Sequence, residues 1–514
     1  MNANFASIMP QAVGVWCEQE GHQVTLVTYT GFENLLEELP DNVDLVFIGA
    51  FTEAALTAYA LSRLFQSRGA VTVLGGPHAR CYPQDAAKYF DFVLGFTDNN
   101  LICDILQNCN PHRPAGLILS SLQQPSSLPG VRERWKFIEP TIRKTPLIKL
   151  VPMLGSIGCP YTCSFCIDSV VPYQSFDLDG MKEDLSFLLT KFKRPRVGWH
   201  DPNFGVRFED TLNAIEEAAP PDSIDFIAES SLSILTGPHV KRLQQNGFKA
   251  LLPGIESWYD LGEKSRAGRA TGMSKVENVS DHINMIMRSI PYLQANFVLG
   301  LDSDSGGEPF ELTKQFINRS PGAFPGYSML SAFGQAAPLN LELQRAGRVL
   351  PFPFHFLDSK TMNVRPKNYT WPEFYNHVIE LEKHTFSPKA IANRLMANNG
   401  AVPRWLNFVR GISTEGLGRI RFHQEVLHRL LTDIEVRKYF EQETTVLPRY
   451  YRDQIRKDLG ALSSWLPESS FDHDPHAYLH AMEKVSLPGK TIEMTPVPVT
   501  HNLMINRRQA LASM

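Results

Sequence analysis

Three cysteines crowd one stretch, GSIGCPYTCSFCIDS (155–169): Cys159, Cys163 and Cys166, spaced C-x-x-x-C-x-x-C. Thiolates on one short loop can hold soft metals, and Gly158 and Pro160 bend the chain where such a loop must turn. Two metal chemistries compete. Structural zinc wants four protein ligands, usually in pairs. No second cysteine pair occurs, so a fourth ligand such as His200 would have to come from another strand. A 4Fe–4S cluster normally takes four thiolates, and three leave one iron with an open position for a substrate or cofactor. The other cysteines, Cys17, Cys81, Cys103 and Cys109, are scattered and read as reduced structural thiols. An odd total of seven argues against a secreted disulfide scaffold.

Stepping along the chain shows what must position this loop. From 22 to 96, strand-like runs alternate with helical periodicity: HQVTLVTY, VDLVFIGAF, then EAALTAYALSRLFQSRG, AVTVLGG and FDFVLGF. That rhythm predicts a doubly wound, Rossmann-like parallel sheet over 1–110. Residues 111–148, with the Gln/Pro/Ser-rich SSLQQPSSLPG, read as a linker. Over 149–335 a strand–helix unit recurs six times, with strands expected at 152–158, 194–201, 223–229, 248–254, 293–300 and 326–333. Six such units predict a partial (β/α)6 TIM-like barrel with its chemistry at the C-terminal strand ends, where the cysteine loop falls. Residues 336–514 read as helices followed by an extended tail. The histidines of FDHDPHAYLH (471–480), including His476 and His480, read as a surface cluster, since no glutamate completes a zinc motif.

The net charge of −4 and the lack of a long basic run give no reason to expect a nucleic-acid partner. No stretch reaches membrane-spanning length, so a cytoplasmic protein without a membrane partner is expected.

The cysteine spacing, with aromatic Phe165 before the last cysteine, resembles the signature of the radical S-adenosylmethionine (SAM) superfamily. That resemblance implies a 4Fe–4S cluster on the three thiolates, with SAM as its remaining ligand. It also implies SAM contacts at the strand ends. WHDPNFG (199–205), with Asp201, resembles the second-strand motif near SAM's amino group. AESS (228–231), with Glu229 and Ser231, resembles the third-strand position that reaches the ribose or methionine. PGIES (253–257), with Glu256, resembles the fourth-strand element. Arg266 or Arg269 would pair with the SAM carboxylate, and Asn296 of NFVLG would lie on the ribose side. Glu229 and Glu256 also admit a plain structural reading as ion-paired or capping residues.

The segments GAFTEAALTAYALSRLF (49–65) and VLGGPHAR (73–80) resemble the cobalamin-binding domain that precedes the barrel in one radical SAM class. Thr52, Gly75 and Gly76 would then meet the corrin and its nucleotide loop. No D-x-H-x-x-G motif marks a cobalt-ligating histidine, so His22 and His78 read as structural. The usual first strand is faint in MNANFASIMPQAV. The resemblance implies an enzyme that methylates an unactivated carbon of a small metabolite through a 5′-deoxyadenosyl radical. An electron donor such as flavodoxin or ferredoxin would serve it. Two alternatives stay open: a non-methylating enzyme of the same class, performing cyclisation, ring rearrangement or oxidation, and an iron–sulfur and cobalamin-binding sensor without turnover.

Overall fold

The computed structural model describes residues 8–29, 33–109, 116–121, 124–144 and 149–474. His476, His480 and the C-terminal tail lie outside them.

Four parallel strands form the N-terminal sheet in the order β1-β2-β3-β4: β1 Leu45–Gly49, β2 Val71–Gly75, β3 Phe92–Leu94 and β4 Leu117–Leu119. The apolar run VTVLG of β2 is buried almost throughout, as a strand covered on both faces must be. Its alternating side chains feed two cores. Leu74 and Val93 pack with Leu56 and Tyr59 of the helix Ala55–Ser67. Val73, Phe92 and Leu94 pack with Trp16 of the helix Ile8–Gln19 and Ile102 of the helix Asn99–Asn108. Helices thus cover both faces of the sheet.

Three local expectations change. HQVTLVTY (22–29) forms no strand, although its residues suit one. Val24 and Val27 are instead spent as side chains packed against the two cores. Residues 8–13 of the segment expected to hold a first strand are instead the start of the helix Ile8–Gln19. Without strands in either place, the sheet runs in sequence order and shows no reversal among its described strands. The expected linker 111–148 is also more than a linker. It supplies β4, which pairs with β3, and the helix Val131–Lys144, whose Val131, Phe137, Ile138 and Ile142 are buried.

The second sheet is the partial barrel. Its strands are β5 Val151–Met153, β8 Arg196–Trp199, β9 Asp225–Ser231, β10 Phe248–Glu256, β11 Tyr292–Leu299 and β12 Phe324–Met329, all parallel, in the order β12-β11-β10-β9-β8-β5. Between β5 and β8 a two-residue ribbon, β6 Ser156–Ile157 and β7 Gln174–Ser175, pairs antiparallel. No helix among the described residues is long and apolar enough to cross a membrane.

The C-terminal helices are tied to the barrel mouth by a buried charge cluster. Glu382, fully buried on the helix Trp371–Thr385, accepts from Arg419 Nε at 2.7 Å and contacts His423 Nδ1 at 2.8 Å. Arg419 also donates to the Ser359 carbonyl, and His423 Nε2 lies 3.0 Å from the Lys360 carbonyl. The Ser359 carbonyl in turn accepts from the Met329 amide at the end of β12. Removing one member of a buried ion cluster leaves the others uncompensated. Glu382→Ala should therefore lower stability by about 3 to 5 kcal/mol, measured by urea unfolding; a midpoint equal to that of the unchanged protein would contradict this account.

Candidate cluster and cofactor site

The cysteine loop leaves the C-terminal end of β5 and returns through β7. Pairing of Ser156 with Ser175 and of Ile157 with Gln174 closes its base. Gly158 sits at φ +74°, and a Cβ there would lie 2.4 Å from the Pro172 carbonyl oxygen and 2.5 Å from that of Val171. Only glycine allows the outgoing and returning arms to approach so closely. Asp201 supports the same base: it accepts from the Gly155 amide at 2.9 Å and from the Ser156 hydroxyl at 2.5 Å. Burial raises its pKa to about 6. Both carboxylate oxygens are therefore engaged by the loop. Tyr161 ties the loop to the end of β9 through a 2.6 Å bond with Ser233, whose hydroxyl meets Ser231 at 3.0 Å. Ser231, fully buried, is held in this network.

Between the cysteines the backbone turns tightly, with the Cys166 amide donating to the Cys163 carbonyl. The Cys166 sulfur accepts from the Asp168 amide at 3.4 Å. Burial pushes all three thiols upward, Cys166 to about 11. One cation opposes that shift at every thiol: Lys264. Lys264 is bonded at 2.6 Å to Glu256. Glu256 adopts φ +66°, at a register shift that ends the pairing of β10 with β11. Its carboxylate folds back over Gly254, where a Cβ would stand 2.0 Å from Oε1. A non-glycine residue in the left-handed region stores strain, and such strain collects at functional sites. Glu229, at the end of β9, keeps solvent-accessible surface, yet desolvation by the surrounding protein raises its pKa. Its charged neighbours are Lys264, Glu256 and Asp168.

The structure therefore brings Glu256 and Lys264 to the thiols, with Glu229 beside that pair. Arg266 and Arg269 are exposed, and Lys264 is the cation whose field reaches the sulfurs. Three cations stand within six residues in EKSRAGR, and spacing alone does not say which one turns inward. Asn296 lies on β11, where its side chain accepts from Gln294 at 2.6 Å. Phe165 packs against the main core. Desolvation lowers the pKa of His200, and the Arg134 charge acts in the same direction. No three His, Cys, Asp or Glu side chains among the described residues are gathered for a single metal ion.

At the edge of the N-terminal sheet, Gly75 ends β2 and a Cβ there would meet nothing within 4 Å. Gly76 follows at φ +91°, with the Ala50 backbone 3.1 Å from its Cβ position. Beside them Phe51 is 64% exposed, while Thr52 is buried and bonds Cys81. An open glycine edge flanked by an exposed aromatic is a cradle that a flat ligand could cover. His22 is exposed, and His78 is fully buried, 2.7 Å from the Tyr59 hydroxyl, with burial lowering its pKa to about 3. Neither histidine lies open beside the glycine edge as a ligand would.

The two edges meet. Arg80, in the short helix Pro77–Cys81 that follows Gly76, donates to the Ile167 carbonyl at 2.7 Å and pairs with Asp168 at 3.4 Å. The Cys81 carbonyl accepts from the Gln335 amide, and the Tyr82 hydroxyl donates to the Ala332 carbonyl. These bonds hold the glycine turn against the cysteine loop.

Three thiols on one short loop beside one cation fit a cluster with one open iron, and the glycine edge fits a corrin. Because the thiols lie above the usual thiol range, ligation must release protons, and metal loading strengthens as pH rises through their pKa values. Lys264→Ala removes the one cation that opposes this and moves the pKa values further up. Alkylation of the metal-free protein by iodoacetamide at pH 8 should then slow by about threefold to tenfold. An unchanged or faster rate would contradict the assignment.

No protein-family model matches the chain. It is similar to two proteins of Chlorobaculum tepidum. One is bacteriochlorophyllide d C-12(1)-methyltransferase, 23% identical over 71% of this chain and 79% of the relative. The other is bacteriochlorophyllide d C-8(2)-methyltransferase, 23% identical over 68% of this chain and 82% of the relative. Among solved structures, the cobalamin-dependent SAM radical enzyme OxsB with aqua-cobalamin bound superposes with a TM-score of 0.52 at 12% identity, covering 93% of this chain and 81% of OxsB. The chain is thus similar in sequence to two methyltransferases and shares its fold with a cobalamin-dependent SAM radical enzyme.

Proposed function

We propose that this protein is a cobalamin-dependent radical SAM methyltransferase that acts on an unactivated carbon of an apolar macrocycle of the tetrapyrrole class. The observation that carries the reading is the Arg80 bridge. It holds the edge suited to a corrin against the loop suited to the cluster, with the Glu256–Lys264 pair and its neighbour Glu229 close by. A radical generator alone needs no corrin edge, and a polar methyl transfer needs no thiolate trio. The substrate class comes from the bacteriochlorophyllide relatives.

When bound, the cluster would supply the electron that cleaves SAM, and the corrin would supply the methyl group delivered to the substrate carbon. The chain's own residues do the rest. Cys159, Cys163 and Cys166 would hold three irons. Lys264, kept cationic by Glu256, is the group suited to the SAM carboxylate, in the place first given to Arg269. Glu229, beside Lys264 and Glu256, is suited to the SAM amino group or ribose. Asp201 and Ser231 act one step back, by fixing the base of the loop and its tie to β9. Gly75 and Gly76 would bear on the corrin and its nucleotide loop, with Thr52, buried and bonded to Cys81, behind them. Holding these groups in one geometry before reaction is the protein's main contribution. A one-electron donor such as flavodoxin or ferredoxin would be needed from outside.

The test is SAM carrying a deuterated methyl group, with the anaerobically reconstituted protein, cobalamin, a reductant and chlorophyllide-type macrocycles. The expected result is a labelled methyl in the product, with one 5′-deoxyadenosine and one S-adenosylhomocysteine per turnover. Release of 5′-deoxyadenosine with a rearranged or oxidised but unmethylated product would sink the methyltransferase reading. Methylation of a different substrate class alone would sink only the macrocycle.

A further inference from the structure

The helix Ala401–Ile412 packs Leu406 on the main core but turns its larger apolar side chains outward. Its inward side carries Pro403, Asn407 and Gly411, all buried, and the Asn407 side chain bonds only back to its own helix, at the Pro403 carbonyl. Its outward row is Ala401, Trp405, Phe408 and Ile412, spaced i, i+4, i+7 and i+11. Trp405 is 60% exposed, Phe408 38% and Ile412 45%. Val402 beside them is 64% exposed, Met396 on the preceding helix 70%, and Leu417 at the start of the next helix 40%. A helix on a globular surface normally turns its apolar stripe inward. A contiguous outward stripe marks a contact surface.

Arg410 fixes where this ridge stands. It lies 4.0 Å from the centre of the Phe324 ring and donates to Gln294 at 2.7 Å and to the Tyr292 hydroxyl. Tyr292 and Phe324 open β11 and β12. The ridge therefore sits at the N-terminal end of the barrel strands, the end opposite the cysteine loop.

Its charge points to the partner. Lys389, Arg404 and Arg421 are exposed around it. Between residues 388 and 421 the one carboxylate is Glu415, and Arg410 neutralises it at 2.5 Å. A cationic rim thus surrounds an apolar row in a chain whose net charge is −4. A two-fold contact with a second copy would set that rim against itself, like charge facing like. We propose that the ridge rests on a membrane surface rich in anionic lipid, with its aromatic row in the headgroup boundary and its cations on the phosphates. The row spans about 16 Å, and helices of this kind settle about 5 to 10 Å into the interface. Tryptophan favours that depth, where its ring is apolar and its N–H stays wet. The contact is peripheral, since no described helix can span a bilayer. It does not depend on the methyl-transfer reading.

The experiment is co-sedimentation of the full-length protein with vesicles of phosphatidylcholine alone and of equal phosphatidylcholine and phosphatidylglycerol. Binding to the anionic vesicles is expected, weakening with salt and weak on the neutral ones. The double change Trp405→Ser, Phe408→Ser should cut partitioning by about a hundredfold. Lys389→Glu with Arg404→Glu should lower binding to the anionic vesicles alone. Brominated lipid should quench fluorescence of the unchanged protein, and Trp405→Phe should remove that quenching while keeping the binding. The last readout needs no disruptive substitution. Three results would each overturn the proposal: no binding to either vesicle, binding unaffected by the serine pair, or a dimer in sedimentation that the serine pair converts to monomer.

Discussion

Everything at the candidate site hangs on Arg80. Its guanidinium joins the turn after β2 to the turn after Cys166, so the two sheets present their C-terminal edges to one another. The bond to Ile167 is made to backbone, which has no rotamers to lose. Its neighbours reinforce it: the carbonyl of Cys81 and the hydroxyl of Tyr82 grip the segment after β12. Gly334 makes that grip possible, since a Cβ there would lie 2.0 Å from the Cys81 carbonyl oxygen. Three successive residues of the N-terminal domain thus bond to two separate loops of the barrel mouth. A rigid relation between the edges follows, and without it neither edge has a partner.

Within that frame the local electrostatics balance burial against one cation. Desolvation raises the thiols, which is the cost of placing them where water is sparse. Lys264 offsets part of it. Lys264 stays charged because Glu256 stands 2.6 Å away, and Glu256 reaches it because the backbone turns left-handed there and Gly254 leaves room beneath the carboxylate. The PGIES stretch therefore works as a unit. Its glycine admits the carboxylate, its bulge ends the strand, and its glutamate holds the cation.

The C-terminal helices close the mouth through backbone carbonyls at 359 and 360, read by the buried Glu382 cluster. The same region turns an apolar row outward at the far end of the barrel. One set of helices thus serves both ends of the strands, with charge buried at the mouth and hydrophobic surface exposed at the base.

The sequence by itself determined the architecture. Buried parallel strands are near-continuous apolar runs, and the six barrel strands lie where those runs are, within a few residues. The thiol trio was equally plain, because its spacing is local and a loop of eight residues is short whatever surrounds it. Other features were decided only by packing. HQVTLVTY has the residues of a strand, yet in the fold its valines are used as side chains against two cores and its backbone pairs with nothing. The 111–148 stretch looked like a linker because a polar patch hid a three-residue strand and a helix on either side of it. Lys264, Arg266 and Arg269 are alike in a string of letters. Which of them faces the sulfurs depends on a loop whose path is set by contacts with β9 and the cysteine turn, residues far away in sequence. Arg80 was quoted within a motif and carried no role there, since its partners lie 87 and 88 residues further on. Periodicity reports how a segment is buried. It cannot report which distant segment a charge will meet, and that is what the tertiary structure settled.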